Sequence, residues 1–364
     1  DDTVDGGAGT DTLVIKNAVA NATVLQNVSN IETLKIVGVF NVEIAKDVSV
    51  MNFDLTNVGA NTLTLATGVS SAVTATIGET GADVVTNSAN VSLTVKGTAT
   101  ALDTTTSIAG GTGTDVIELT ADTQADATID IQAHGVRAVE KITVVDAGDA
   151  TTGATKRSGK DISLTTGGYA TALTIDGSAL DAANKDNDND GDIDNTDTSA
   201  EKLTVDGSSA TAVLTITGGG AGDSITAGTK NDVIDGGGGD DTITLTAGGD
   251  DNVKGGAGDD KIIFGTTLTK DDVVDGGAGT DTVSVTTLTA ANLTGITNVE
   301  TLAFTGTATL SKDLSFDTVD LTDGSTQDKI TFADGYTSAT TVKFDKGDTA
   351  INNAKIALTV SGSA

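Results

Sequence analysis

Apolar residues along this chain fall mostly in short alternating runs. NTLTLATG (61–68), VSLTVKG (91–97), TALTIDGS (171–178), EKLTVDGS (201–208) and AVLTITGG (212–219) set Thr on one face and Leu, Val or Ile on the other. A period of two predicts half-buried strands, and Thr and Val favour extended backbone. Gly, Asn and Asp punctuate the runs as turns. Helix signals are weak: SALDAANK (178–185) is the best short candidate and TLTAANL (287–293) a second. The fold class predicted is all-β.

Repeats organise the chain. Residues 218–284 carry a nine-residue period in seven units, GGGAGDSIT (218), AGTKNDVID (227), GGGGDDTIT (236), TAGGDDNVK (246), GGAGDDKII (255), TLTKDDVVD (267) and GGAGTDTVS (276), with slips at Leu245 and Phe264–Thr266. Position six is always Asp (Asp223, Asp232, Asp241, Asp251, Asp260, Asp272, Asp281), and position eight is always Ile or Val. A longer repeat overlaps this one. DDTVDGGAGTDTLVI opens residues 1–38 and NVSNIETLKIVG ends them; DDVVDGGAGTDTVSV and GITNVETLAFTG do the same for 271–306. A looser copy runs from GGTGTDVIEL (110–119) to HGVRAVEKITVV (134–145). Each copy joins a Gly–Asp loop to a segment of the form apolar-x-x-apolar-Glu-x-apolar. The first copy begins at the half-repeat that precedes Gly276, so Asp1 reads as a cut within a repeat. Four segments follow: 1–107 and 108–217, both β-rich; 218–284, the nonapeptide array; and 285–364, again β-rich.

The loops suit calcium. That hard cation takes six to eight oxygens in flexible geometry. Glycines let main-chain carbonyls converge, and the Asp adds a carboxylate. The x-apolar-x that follows makes a very short strand with one inward side chain, so two units make one coil. Candidate ligating positions in the array are Gly218, Gly220, Asp223, Asp232, Gly236, Gly238, Asp240, Asp241, Asp250, Asp251, Gly255, Ala257, Asp259, Asp260, Asp271, Asp272, Gly276, Ala278 and Asp281, with Asp11 and Asp115 in the isolated loops. The units at 227, 246 and 267 lack the full glycine pattern, which predicts weaker or incomplete sites. The competing reading is plain Asp–Gly turns without metal. A separate segment, DNDNDGDIDNTD (186–197), places Asp186, Asp188, Asp190, Asp192, Asp194 and Asp197 at alternate ligating positions of a twelve-residue calcium loop, with Gly191 at the bend. Its last position is Asp where a helix–loop–helix site prefers Glu, and EKLTV after it reads as strand. The alternative there is a solvated acidic linker.

Composition narrows the partners. Among 364 residues, 52 Asp and Glu face 20 Lys and Arg, a formal charge of −32. Phosphates would be repelled, so nucleic acid is excluded as a partner, as is adsorption to an anionic membrane. No apolar run approaches the ~20 residues that span a bilayer, so no membrane insertion is expected. Self-repulsion of this size opposes a compact state unless cations neutralise it. Yet 37% of residues are apolar and only 2% aromatic, with no Trp, Pro or Cys. That predicts ladders of small aliphatic side chains without thiolate chemistry or disulfides. A single histidine, His134, excludes an HExxH zinc site; it lies near Arg137 and Glu140 but reads as an ordinary residue before a strand. No nucleophile elbow or phosphate loop is present, and no catalytic role is expected.

The array GGxGxDxUx resembles the hemolysin-type RTX repeat. The resemblance implies a parallel β-roll, a β-solenoid with calcium between its turns, flanked here by further short-strand β-solenoid or β-sandwich-like segments. The whole chain also resembles the RTX-repeat S-layer proteins of Gram-negative bacteria, through GGAGTDT with IETL (31–34) or VETL (299–302), Thr/Ala/Val-rich strands and scarce aromatics. That implies type I secretion, calcium-dependent folding outside the cell, several bound calcium ions and lattice assembly with self as partner. A cell-surface polysaccharide, met through parts outside this fragment, is a further candidate partner. The alternatives are a calcium-stabilised secreted adhesin and the non-catalytic part of an RTX exoenzyme.

Overall fold

The computed structural model describes residues 3–16, 28–38, 40–44, 52–56, 59–78, 82–102, 105–120, 127–145, 161–180, 201–286, 288, 290–305, 307–310, 316–321, 329–332, 340–344, 349–352 and 358–362. It divides into two compact units, one of residues 1–180 and 184–201 and the other of 181–183 and 202–364. Both are parallel β-solenoids. The chain makes a short strand in one sheet, turns, makes another in the facing sheet, and returns to stack beside the first.

In the second unit one sheet holds Leu214–Thr217, Val233–Gly238, Asn252–Ala257, Val273–Ala278 and Ile296–Thr297, all parallel. The facing sheet runs from Leu203–Asp206 through Ser224–Thr226, Thr242–Thr244, Lys261–Gly265, Thr282–Val285 and Thr301–Phe304 to Leu358–Gly362. Register is strict. Ile225, Ile243, Ile262, Val283, Leu302, Val319 and Val342 stack as successive partners, and none is exposed. Position eight of the nonapeptide is therefore the core ladder. The residues on either side of it face outward, and most of them are polar: Thr, Ser, Asp, Asn or Lys.

The first unit repeats the plan with longer coils. Leu34, Phe53, Ala75, Val95, Ile117, Ile142 and Ile175 form its inner ladder, and each is at most 1% exposed. Facing strands are Phe40–Ile44, Asn61–Leu65, Val84–Asn87 and Ser107–Ala109. The segments outside the array are thus solenoid rather than sandwich, since their pairings are parallel. Lys–acid pairs such as Lys96–Glu118 (2.8 Å) and Lys141–Asp176 (2.8 Å) line its outer face, and being solvated each contributes about 0–1 kcal/mol.

Two helix expectations change. Ser178 and Ala179 close the strand Leu173–Ala179 instead of opening a helix, and the remainder of that candidate from 181 lies outside the described residues. Of 287–293, Ala290–Leu293 forms a single 3-10 turn. The second run is too short to offset helix nucleation without an apolar face to bury.

Candidate metal centre

The turns of the array are built on glycines in the left-handed region. Gly277 has φ +109° and Gly279 φ +139°, values that cost a side-chain-bearing residue about 1–2 kcal/mol. The isolated loops adopt the same backbone, with Gly7 at +85°, Gly9 at +140°, Gly111 at +88° and Gly113 at +137°. Position three stacks in register as Gly238, Ala257 and Ala278, and Gly258 N–H donates to Ala278 O at 2.8 Å.

Each turn carries its position-six Asp inward, and these carboxylates form a ladder. Asp223 N–H donates to Asp241 Oδ1 (2.7 Å), Asp241 N–H to Asp260 Oδ1 (2.8 Å) and Asp260 N–H to Asp281 Oδ1 (2.9 Å). On the other side of the roll, Asp232 N–H donates to Asp251 Oδ1 (2.8 Å) and Asp251 N–H to Asp272 Oδ1 (2.7 Å). All seven carboxylates are at most 3% exposed. Burial of a charge at this depth is costly unless something compensates it.

The second oxygen sorts all but Asp251. Asp223 Oδ2 accepts from Gly219 N–H (2.7 Å), Asp232 Oδ2 from Gly228 N–H (2.9 Å) and Asp272 Oδ2 from Thr269 N–H (2.6 Å), so these turns close on their own carboxylates. Their loops are the ones with Ala221 at position four, or without the full glycine pattern. By contrast Asp11, Asp115, Asp241, Asp260 and Asp281 hold a buried Oδ2 with no donor. Around that oxygen lies a cradle that a Cβ would fill. A methyl group on Gly255 would stand 2.4 Å from Asp260 Oδ2 and 2.4 Å from Gly276 O, and one on Gly236 would stand 2.3 Å from Asp241 Oδ2 and 2.5 Å from Gly255 O. A carboxylate oxygen and a carbonyl oxygen thus crowd one point without a proton between them. That donor set fits a hard cation. Among the described residues no three His, Asp or Glu side chains converge, so most ligands would be main-chain carbonyls.

Electrostatics agree. Burial, reinforced by Asp223, Asp260 and Asp240, pushes Asp241 up to about 8. Burial with Asp232, Asp272 and Asp250 pushes Asp251 to about 7, and burial with Asp281, Asp240 and Asp259 pushes Asp260 to about 6. Burial also raises Asp115, Asp232 and Asp281.

The position-five residues Asp240, Asp250, Asp259 and Asp271 sit exposed at the turn tips. Asp259 N–H donates to Asp240 Oδ1 (2.8 Å) and Thr280 N–H to Asp259 Oδ1 (2.7 Å), which makes an outer ladder. Gly218 and Gly220 belong to the first turn, where Asp223 is satisfied locally. Asp186, Asp188, Asp190, Asp192, Asp194 and Asp197 lie outside the described residues. His134 is buried in the turn after Ala127–Asp130, its Nδ1 against Asp130 O.

Sequence reasoning missed one nonapeptide. Gly78 and Asp83 of GETGADVVT occupy positions one and six, and Val85 is 0% exposed at position eight. Asp83 Oδ1 accepts from Asn61 N–H (3.1 Å) and Oδ2 from Gly78 N–H (3.2 Å). The spacing was the available signal, with only two of three glycines kept.

A stack of Gly–Asp turns with inward carboxylates and parallel strands defines a calcium-type β-roll. The family model of the RTX calcium-binding nonapeptide repeat matches the chain in four copies, at residues 1–14, 217–250, 245–267 and 266–285. The matched repeats are calcium-binding repeats, and they include the loop of Asp11. No curated protein and no solved structure matches the chain.

Proposed function

We propose that the chain is a secreted structural protein whose folding is coupled to several calcium ions, and whose copies assemble into a surface layer. The observation that carries the calcium part is the column of buried, donor-less carboxylate oxygens at Asp241, Asp260 and Asp281. Without a counter-charge those oxygens face main-chain carbonyls, and both repulsion and desolvation oppose closing the stack. Bound calcium supplies that counter-charge. The chain's residues do the rest: glycines turn the backbone, each Oδ1 ties its coil to the coil before, and each position-eight aliphatic seals the core.

The surface-layer part rests on other grounds. The chain is acidic, rich in Thr, Ala and Val, free of Cys, and pairs GGxGTD turns with Glu segments. Low cytosolic calcium would leave so charged a chain unfolded until a type I system exports it, and calcium outside would then drive folding by mass action. No helix among the described residues is long and apolar enough to cross a membrane. We read the chain as non-catalytic, with its own copies as partners.

The test is a calcium titration of chelated protein followed by far-UV circular dichroism, small-angle scattering and electron microscopy. The β signal and compaction should appear together, and ordered two-dimensional sheets should follow. Chelated protein that keeps its signal and size would sink the calcium coupling. Compact monomers that stay soluble and bind a specific ligand would favour a secreted adhesin.

A further inference from the structure

The three Glu segments occupy one structural position. Glu32 Oε2 accepts from Asp11 N–H (2.7 Å), Glu140 Oε2 from Asp115 N–H (2.8 Å) and Glu300 Oε2 from Asp281 N–H (2.8 Å). Each therefore takes the place that the next coil's Asp holds within the array, where Asp260 N–H donates to Asp281. The residue two before each Glu completes the likeness. Asn30 (φ 52°), Ala138 (φ 48°) and Asn298 (φ 50°) are the non-glycine residues at positive φ among those described. That strained backbone turns each carbonyl onto the glycine at position one of the preceding coil. A Cβ on Gly6 would meet Asn30 O at 2.0 Å, on Gly110 Ala138 O at 1.9 Å, and on Gly276 Asn298 O at 2.0 Å. Within the array, Gly276 O stands 2.4 Å from the same point on Gly255, beside the donor-less Oδ2 of Asp260. Beside the same points stand the donor-less Oδ2 atoms of Asp115 (2.8 Å) and Asp281 (2.7 Å), in residues 1% and 0% exposed, while Gly6 has Asp11 Cβ at 2.8 Å and the Oδ2 of Asp11 is likewise buried without a donor.

We propose that the αL-apolar-Glu segments ending at Glu32, Glu140 and Glu300 are the second walls of three divalent-cation sites, each shared with the Gly–Asp turn one coil earlier. This rests on the calcium reading above and extends it to residues outside the nonapeptide. In the array a wall is a whole turn, from glycine at position one to Asp at position six. Here the wall shrinks to three residues: a left-handed residue that offers its carbonyl, an inward apolar residue (Ile31, Val139 or Val299, each at most 6% exposed), and a carboxylate. The longer Glu arm spans what the missing turn no longer provides. Such a wall offers no glycine turn of its own to the following coil, so it ends a cation column. The isolated loops at 6–11 and 110–115 are then complete two-walled sites rather than remnants.

The test uses the full chain with Glu32→Gln, Glu140→Gln and Glu300→Gln, singly and together, and Glu118→Gln as a surface control. Gln keeps an oxygen that accepts the Asp N–H and removes only the charge. Bound calcium is counted by equilibrium dialysis with elemental analysis, and folding at saturating calcium is checked by circular dichroism. Each single variant should weaken one calcium about tenfold or more, and the triple variant should carry three fewer ions at limiting calcium. Glu118→Gln should change nothing. Stoichiometry and affinity equal to wild type in all three variants would mean the glutamates are hydrogen-bond acceptors only, and would overturn the proposal. Wild-type protein that binds no calcium would instead overturn the calcium reading itself. If a variant fails to fold, hydrogen exchange on wild type decides. Calcium should slow peptides 276–282 and 296–302 together, and protection of the first alone overturns the shared site.

Discussion

The amide of Asp260 donates to Asp281 Oδ1 at 2.9 Å, while Asp260's own Oδ2 is buried without a donor beside Gly276 O. The carboxylates of Asp241, Asp260 and Asp281 thus each tie to the coil before with one oxygen and hold the other, donor-less, toward a main-chain carbonyl. Asp260→Asn separates these roles. The amide oxygen still accepts the Asp241 N–H, and the amide nitrogen turns a donor toward the carbonyl. Without calcium the variant should be more stable than wild type by about 1–3 kcal/mol, the cost of an unsatisfied buried polar group. With calcium it should bind fewer ions. Chelated and calcium-loaded denaturation curves, with a stoichiometry measurement, check both directions, and unchanged stoichiometry removes Asp260 from the ligands.

Acidity should act in opposite senses with and without metal. Asp241, Asp251 and Asp260 stand at about 8, 7 and 6 in the folded chain, against an ordinary value of 3.8. The metal-free fold therefore holds protons that the unfolded chain has released. Their contribution to stability is complete below the ordinary value and lost as pH rises through the folded values. Chelated protein should accordingly show more β signal at about pH 5 than at about pH 8. Calcium competes with the same protons, so its midpoint concentration should rise roughly tenfold per pH unit lost while one carboxylate is protonated. A calcium midpoint that stays flat across that window contradicts buried carboxylate ligands.

Much of this was legible in the sequence, for a physical reason. A strand with one inward residue prints that residue at a fixed spacing, so Ile243 and Ile262 mark the core and Asp241 and Asp260 the turns. The strands predicted at 61–68, 91–97, 171–178, 201–208 and 212–219 are observed at Asn61–Leu65, Leu93–Thr98, Leu173–Ala179, Leu203–Asp206 and Leu214–Thr217. Coil length was less legible. Lys141 pairs with Asp176, 35 residues on, where Asp241 N–H meets Asp260 only 19 residues on. Loops of varying length hide the period, so for the flanking segments the sequence left solenoid and sandwich both open. Nor did the sequence say which carboxylates close on their own turns. GGGAGD and GGAGTD look alike, yet Asp223 takes Gly219 N–H while Asp281 does not.

Two glycines should respond differently to Ala. A Cβ on Gly276 would lie 2.0 Å from Asn298 O and 2.7 Å from Asp281 Oδ2, two oxygens that would have to move apart. Gly276→Ala should cost about 1–3 kcal/mol by overpacking and weaken calcium binding. Gly248 has φ +89° and only Thr267 Cγ2 near, at 3.8 Å. Gly248→Ala should cost about 1–2 kcal/mol in backbone strain and leave calcium affinity unchanged. Melting curves and calcium titrations on both variants separate the effects.

The inward ladder predicts a sharp contrast between inward and outward aliphatics. Ile262 is 0% exposed between Ile243 and Val283, and Ile262→Ala should cost about 2–5 kcal/mol, the transfer term plus the cavity it leaves. Val233 is 44% exposed between Thr215 and Asn252, and Val233→Ala should change stability by no more than about 0.5 kcal/mol. In a solenoid each coil touches mainly its neighbours, so the damage from Ile262→Ala should centre on adjacent coils. Hydrogen exchange on calcium-loaded protein should show lost protection in strands Thr242–Thr244 and Thr282–Val285 and little change in Thr340–Phe344. Equal costs for the two substitutions would mean that the register is shifted by one residue, which would turn the predicted core outward.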